Sequence, residues 1–143
     1  MILRDPVHGL VEFETDEEDI VAALLEAGEV QRLRRIRQLG LASLAYPGAD
    51  HTRFSHAIGA AFVMTRFIRR MRQVHDALPF WQRVTTERAR DALAAALLHD
   101  VGHGPFSHLF EEALPNGPRH ETWTSRIILD PDTDVHRILT RYD

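Results

Sequence analysis

At 143 residues the chain has room for one domain with a genuine core and too little for two. Hydrophobic residues make up 44% and charged residues 27%, the balance of an ordinary soluble globular protein. A net charge of -4 argues against a protein that coats nucleic acid, and the absence of cysteine removes disulfides and thiolate metal sites. Any metal must therefore be held by nitrogen and oxygen. No run approaches the roughly 18 apolar residues of a membrane span, and Met1-Ile-Leu-Arg-Asp-Pro6 lacks a signal-peptide layout, so the expected location is cytoplasmic. All 17 cationic residues are Arg, most densely at Arg32, Arg34, Arg35 and Arg37. Coding bias explains the preference; a second reading gives some of these forks to phosphates.

In chain order, residues 2–14 read as a short extended segment with a turn at Asp5-Pro6 and Gly9. Thr15 and Glu18 form a capping box for a helix to about Ala27, with Ile20, Val21, Leu24 and Leu25 inward. The acidic run from Glu12 to Glu18 reads as the solvated start of that helix. Val30, Leu33, Ile36 and Leu39 predict a second helix ending at Gly40. Residues 41–52 read as a loop. A long helix follows from about Arg53 to Val74, with Phe54, Ile58, Ala61, Phe62, Phe67, Ile68 and Met71 on its apolar side.

Residues 75–85 are a predicted loop. Thr85 or Thr86 caps a helix to about Asp100, nearly apolar all round over residues 92–98 and so placed in the middle of the domain. Gly102 and Gly104 break it, and Pro105 starts a short helix through Ala113. A turn over Leu114 to Pro118 precedes helices over 119–129 and about 134–141. The fold class is all-α: an irregular helical bundle in a single domain.

The chemistry gathers at the end of the apolar helix, in Leu98-His-Asp-Val-Gly-His-Gly-Pro-Phe-Ser-His108. A buried polar group needs a partner, so His99, Asp100, His103 and His108 within ten residues point away from mere packing. Taken alone, His99-Asp100 is also consistent with a self-satisfied pair. Imidazole and carboxylate donors suit Fe, Mn, Ni or Zn, and a site poorer in nitrogen suits Mg. Such an ion polarises phosphoryl oxygens. His56 lies three residues after Arg53, so at a helix start both face the same way. His120-Glu121 reads equally as a dipole-stabilised helix start or as an acid held by a carboxylate. His51, His75 and His136 read as surface.

Four ordered segments, Arg4-Asp-Pro-Val-His-Gly9, Gln31-Arg-Leu-Arg-Arg-Ile-Arg-Gln-Leu-Gly40, Pro47-Gly-Ala-Asp-His-Thr-Arg-Phe-Ser-His56 and Leu98 to His108, resemble the N-terminal portion of the HD-domain deoxynucleoside triphosphate triphosphohydrolases. The resemblance implies an HD-type bundle that cleaves a dNTP to deoxynucleoside and triphosphate with a divalent metal. It implies His56, His99 and Asp100 as metal ligands and Arg53 at substrate phosphate. It implies His103, His108 and His120 along the α-phosphate, with His120 donating to the leaving 5′ oxygen and Glu111 where the family's catalytic pair commonly has Asp. Gln38 and Leu39 match positions touching base and sugar. Glu26, Gln31 and Arg34 match positions that read an activating nucleotide at a subunit interface, Glu26 replacing Asp; an exposed, salt-bridged helix face is the alternative. Homo-oligomers are expected of relatives. The family's fourth metal ligand, an Asp on a later helix, has no match before Asp143, and Asp130, Asp132 and Asp134 sit in a turn and helix cap. The expectation is accordingly a truncated HD domain spanning 1–143. Two other classes remain open: an HD phosphohydrolase acting on a nucleoside monophosphate, cyclic nucleotide or alarmone, and a non-catalytic nucleotide-sensing or oligomerising module.

Overall fold

A computed structural model describes residues 1–5, 7–106, 108–113 and 117–142; the side chains of Asp76, His108 and Phe110 lie outside the described set. The expected turn positions Pro6 and 114–116, and the role expected of His108, therefore fall outside it. Strands β1 (Ile2–Asp5) and β2 (Gly9–Glu12) form one antiparallel hairpin, Ile2 facing Glu12 and Asp5 facing Gly9. Asp5 closes its turn by accepting the Val7 and His8 amides on Oδ1 at 2.9 and 2.7 Å. Seven described helices follow: α1 (Asp19–Leu25), α2 (Gly28–Gln31), α3 (Arg53–Gln73), α4 (Thr86–Leu98), α5 (His108–Ala113), α6 (His120–Leu129) and α7 (Asp134–Leu139). The class is all-α, as the residue pattern predicts.

The core lies between α3 and α4, closed by α1 and the end of α7. Phe54, Ala57, Ile58, Ala61 and Ile68 of α3 meet Ala89, Leu93, Leu97 and Leu98 of α4, with Leu24, Val30, Leu33 and Val135 around them. Phe67, expected on the inward side of α3, is 58% exposed: it lies off the stripe set by Phe54, Ala57, Ile58, Ala61 and Ile68. Helix α4 is also less central than its composition suggests, because Ala95 and His99 are exposed. Alanine is compatible with either side of a helix, so an Ala-rich run does not specify burial. Both long helices begin on threonine caps, Thr52 accepting from Ser55 N and Thr85 from Arg88 N, each at 3.2 Å.

The second helix differs from expectation. α2 is a single turn, followed by a 3-10 turn over Arg32–Arg35, and Ile36 is extended. Arg37 then pairs with Thr52 as an isolated antiparallel bridge, Gln38 N donates to His51 O at 3.0 Å, and Arg53 N donates to Ile36 O at 2.8 Å. Those cross-chain bonds take the donors and acceptors a helix over 36–40 would use. A further 3-10 turn, Gly40–Leu44, lies in the predicted loop.

Glu12, Glu14 and Asp16 of the acidic run are exposed, as expected of a solvated start, but its last two residues are not. Glu17 and Glu18 are 8% and 3% exposed. Glu18 Oε2 accepts the Glu14 and Thr15 amides at 2.7 and 3.1 Å and its Oε1 receives Arg69, while Arg72 forks onto Glu17 at 2.6 and 2.8 Å. The Glu18-to-Thr15 half of the capping box exists, but α1 starts later, at Asp19. His136 is likewise drawn inward, joining α7 to α6 through Ile128 O at 2.9 Å. A reciprocal clasp links distant helix starts: Gly28 N donates to Asp134 Oδ2 and Asp134 N to Glu29 Oε1, each at 3.2 Å. No helix among the described residues is long and apolar enough to cross a membrane.

Candidate metal and phosphate site

Helix α4 delivers the site by ending where it does. Leu98 is its last residue, and the chain continues through two i to i+3 turns, Val101 N to Leu98 O at 2.9 Å and His103 N to Asp100 O at 3.1 Å. His99 and Asp100 thus leave a buried helix at its C-terminal edge, facing His56 from the first turn of α3. His56, His99 and Asp100 place one ligand atom each within 4.8 Å of one another. The imidazole Nε2 atoms of His56 and His99 stand 3.2 Å apart, and Asp100 lies 3.5 Å from His99 and 3.8 Å from His56. Two donors each about 2.1 Å from one ion, at cis or tetrahedral angles, are separated by roughly 3.0–3.4 Å, so the two nitrogens fit a shared cation. His99 Nδ1 lies 2.9 Å from Ala96 O, a contact that requires the proton on Nδ1 and leaves the Nε2 lone pair outward. Burial pushes His56 below the ordinary imidazole value, which favours the neutral, ligating form, although Asp100 pulls the other way.

Asp100 is shared by a second group. Asp100, His103 and His120 also place ligand atoms within 4.8 Å. His103 Nε2 is 3.5 Å from Asp100 Oδ1, and its ring stacks on His120 at 3.7 Å and 14°. His120 Nδ1 is 2.8 Å from Glu111 Oε1, which also accepts the His120 amide at 2.9 Å. Glu111 on α5 therefore fixes the tautomer of His120 at the head of α6 and turns its Nε2 away. Burial alone would raise the Asp100 carboxyl, but the hydrogen bond to His103 and the charges of His99 and Arg53 outweigh it and hold the group well below the usual carboxylate range. Burial likewise lowers His103.

Glycine at 102 allows α6 to approach. A Cβ there would meet His120 O at 2.2 Å, Thr124 N at 2.3 Å and Thr124 Oγ1 at 2.6 Å, while Gly102 N donates to Thr124 Oγ1 at 3.0 Å. At the mouth, Gly40 (φ +53) abuts the carbonyl of Phe106, itself at φ 61, and sets Gln38 and Leu39 beside the loop after His103.

The structure brings His56, His99, Asp100, His103, His120, Glu111 and Arg53 together. Arg53 is 2% exposed and its Nη1 pairs with Asp100 Oδ2. Gln38 Nε2 is 3.5 Å from the same oxygen, with its Oε1 buried and unbonded, and Leu39 is half exposed. Glu26, Gln31 and Arg34 lie apart from this centre. Gln31 donates to Leu25 O and accepts from Arg34 Nε at 2.7 Å, and the Arg34 guanidinium lies 3.7 Å over the Phe54 ring. Gln31 and Arg34 line a cavity of about 560 Å³ with Arg32, Arg35 and Pro105, whereas Glu26 is exposed at the end of α1. A larger, mostly apolar cavity of about 780 Å³ runs from Val7 and His8 along Val63, Met64 and Phe67 to His56 and His99. Residue types alone give no sign of the contacts made by Ala96 O, Thr124 and Arg32, each of which has a backbone group on at least one side; Gly102 reads in sequence only as a helix breaker.

The HD domain family matches residues 53–136, a span containing every member of the two Asp100-centred groups. The chain belongs to the HD-domain family. It is 40% identical over 140 residues to the uncharacterized protein YwfO of Bacillus subtilis (strain 168), covering 98% of this chain and 30% of that protein. It is 35% identical over 127 residues to the deoxynucleoside triphosphate triphosphohydrolase SAMHD1 of Bos taurus, covering 86% of this chain and 20% of that enzyme. A crystal structure of a phosphohydrolase from Bacteroides thetaiotaomicron VPI-5482 superposes with a TM-score of 0.75 at 32% identity, covering 98% of this chain and 34% of that one. This chain thus spans about a fifth to a third of the length of these relatives.

Proposed function

We propose that these residues are the metal- and phosphate-binding portion of a hydrolase that converts a dNTP and water to deoxynucleoside and triphosphate. The observation that supports it best is the sharing of Asp100 between two groups: His56 and His99 on one side, His103 and the Glu111-held His120 on the other. A metal site alone needs only the first. The second is consistent with two imidazoles facing a phosphoryl group next to the cation.

His56, His99 and Asp100 would hold a divalent cation, which supplies Lewis-acid polarisation and positive charge beside the α-phosphoryl group. The guanidinium of Arg53, fixed by Asp100, adds charge that needs no reorganisation as the phosphoryl oxygens become more negative. Water oxygen bonds to Pα and releases a proton to solvent as the Pα–O5′ bond breaks, and the departing O5′ takes a proton. His120 supplies it from Nε2, and Glu111 stabilises the imidazolium beforehand through Nδ1. Gln38 and Leu39 edge the mouth on the nucleoside side. Homo-oligomerisation, and activation by a nucleotide against Gln31 and Arg34, belong to the same proposal.

The purified chain, loaded with Mn²⁺ or Fe²⁺, is incubated with each dNTP and NTP, and the inorganic product is resolved by ³¹P NMR. Triphosphate with the free nucleoside is expected. Pyrophosphate or orthophosphate as the initial product would overturn the dNTP reading in favour of another HD phosphohydrolase. Bound metal with nucleotide-dependent assembly and no turnover would favour a sensing module.

A further inference from the structure

We propose that Arg32 is a positioning residue for the phosphate-facing imidazoles, clamping the turn that carries His103 from the side opposite α6. This rests on the reading of His103 and His120 as phosphate-facing groups. The two carbonyls concerned, Val101 O and His103 O, follow the end of α4 and have no further helical turn to supply a donor. Arg32, on the 3-10 turn after α2, donates Nη1 to His103 O at 2.8 Å and Nη2 to Val101 O. Between them, the Gly102 amide donates the other way, to Thr124 Oγ1 of α6. The peptide group joining residues 101 and 102 is thus held at its carbonyl by Arg32 and at its amide by α6, and the His103 carbonyl is held by the other arm of Arg32.

The direction of the His103 side chain follows from the orientation of that turn. Its ring is 2% exposed, packed against His120 and within 3.5 Å of Asp100 Oδ1, so a small rotation of the turn breaks both relations. Only a planar fork serves two carbonyls two residues apart; an ammonium serves one well. Burial lowers the pKa of Arg32, yet the guanidinium remains protonated at any working pH. Its neighbours in the arginine run are engaged elsewhere, Arg34 over Phe54 and Arg37 with Asp50 at 3.2 Å. Arg32 ends both of its arms on the turn that carries His103.

The test uses the whole chain with isotopically labelled histidine. Rings stacked as His103 and His120 are shift each other's carbon-bound protons upfield, and these signals report the turn directly. Arg32→Ala is expected to abolish that upfield shift while the His56 and His99 signals hold, and to weaken inorganic triphosphate binding about 10–100-fold. Arg32→Lys is expected to restore part of the shift and part of the affinity. Unmoved His103 and His120 signals in either variant, or full recovery by lysine, would overturn the proposal. Should the alanine variant not fold by circular dichroism, the lysine variant decides alone: selective movement of those two rings supports the clamp, and retention of both overturns it. Wild-type chain that shows the stacked shift but binds no triphosphate would sink the dNTP reading and leave the clamp to be judged by the ring signals.

Discussion

Gly102→Ala puts a methyl group where the backbone of α6 leaves it no room. The added methyl carbon would lie 2.2 Å from His120 O and 2.3 Å from Thr124 N, both backbone atoms at the start of α6. Reaching an ordinary contact of about 3.4 Å requires a displacement of roughly 1 Å, and packing strain of this kind costs typically 1–3 kcal/mol. Backbone on both sides places the cost at the upper end, so the melting temperature should fall by about 6–12 °C for a domain of this size. The same displacement acts on function. His120 sits 2.8 Å from Glu111 and 3.7 Å from His103 ring to ring, and a shift of roughly 1 Å takes the first beyond hydrogen-bonding range. Misplacement of that size costs on the order of 10²-fold in turnover. Differential scanning fluorimetry and the ³¹P assay measure the two effects on one preparation. An alanine variant that melts within about 2 °C of wild type, with the His103–His120 stacking shift intact, would refute the argument that α6 is docked through this contact.

Arg53→Met removes the guanidinium partner of the buried Asp100 and leaves it imidazole and amide neighbours alone, and breaking a buried pair in this way costs up to about 3–5 kcal/mol; urea unfolding should show that loss, relieved when Asp100→Asn is added. Burial depresses the pKa of His56 and His103 in the folded chain, so below about 6.5 the unfolded chain binds more protons at these sites. Stability should therefore decline as pH falls through 6.5 toward the folded values, in a step that His103→Gln makes smaller; a flat profile between about pH 7 and 5 would contradict it. Glu111→Ala is expected to reduce hydrolysis about 10²–10⁴-fold while leaving bound metal, by elemental analysis, at the wild-type level, since Glu111 Oε1 holds His120 at both Nδ1 and the amide.

The two long helices are readable in the chain: apolar spacing marks α3, and apolar spacing, a threonine cap and a glycine stop agree on α4. The break at Ile36 is not: the Val30-to-Leu39 spacing is helical, and only the pairing of Arg37 with Thr52, fifteen positions away, diverts it. Likewise, nothing local in Glu17 and Glu18 announces Arg69 and Arg72, which arrive from the far end of α3. Residues of the site with distinctive chemistry, His56, His99 and Asp100 among them, stand out by type. Those that hold the site in place do so with a backbone atom on at least one side of the contact, as Arg32 does on two carbonyls and Gly102 and Ala96 do through their own main chain, and backbone partners leave no mark on residue identity.

The clasp between Gly28 and Asp134 joins positions 106 residues apart. Closing a loop of that length costs about 2 kcal/mol more entropy than closing one of roughly a dozen residues. In a refolding chain α3 and α4, adjacent in sequence, have the shorter search, and α7 arrives afterwards to seal α2. Under native conditions the order reverses. The α7 end is the first to fray, so amide exchange should be fastest there and slowest along α3 and α4.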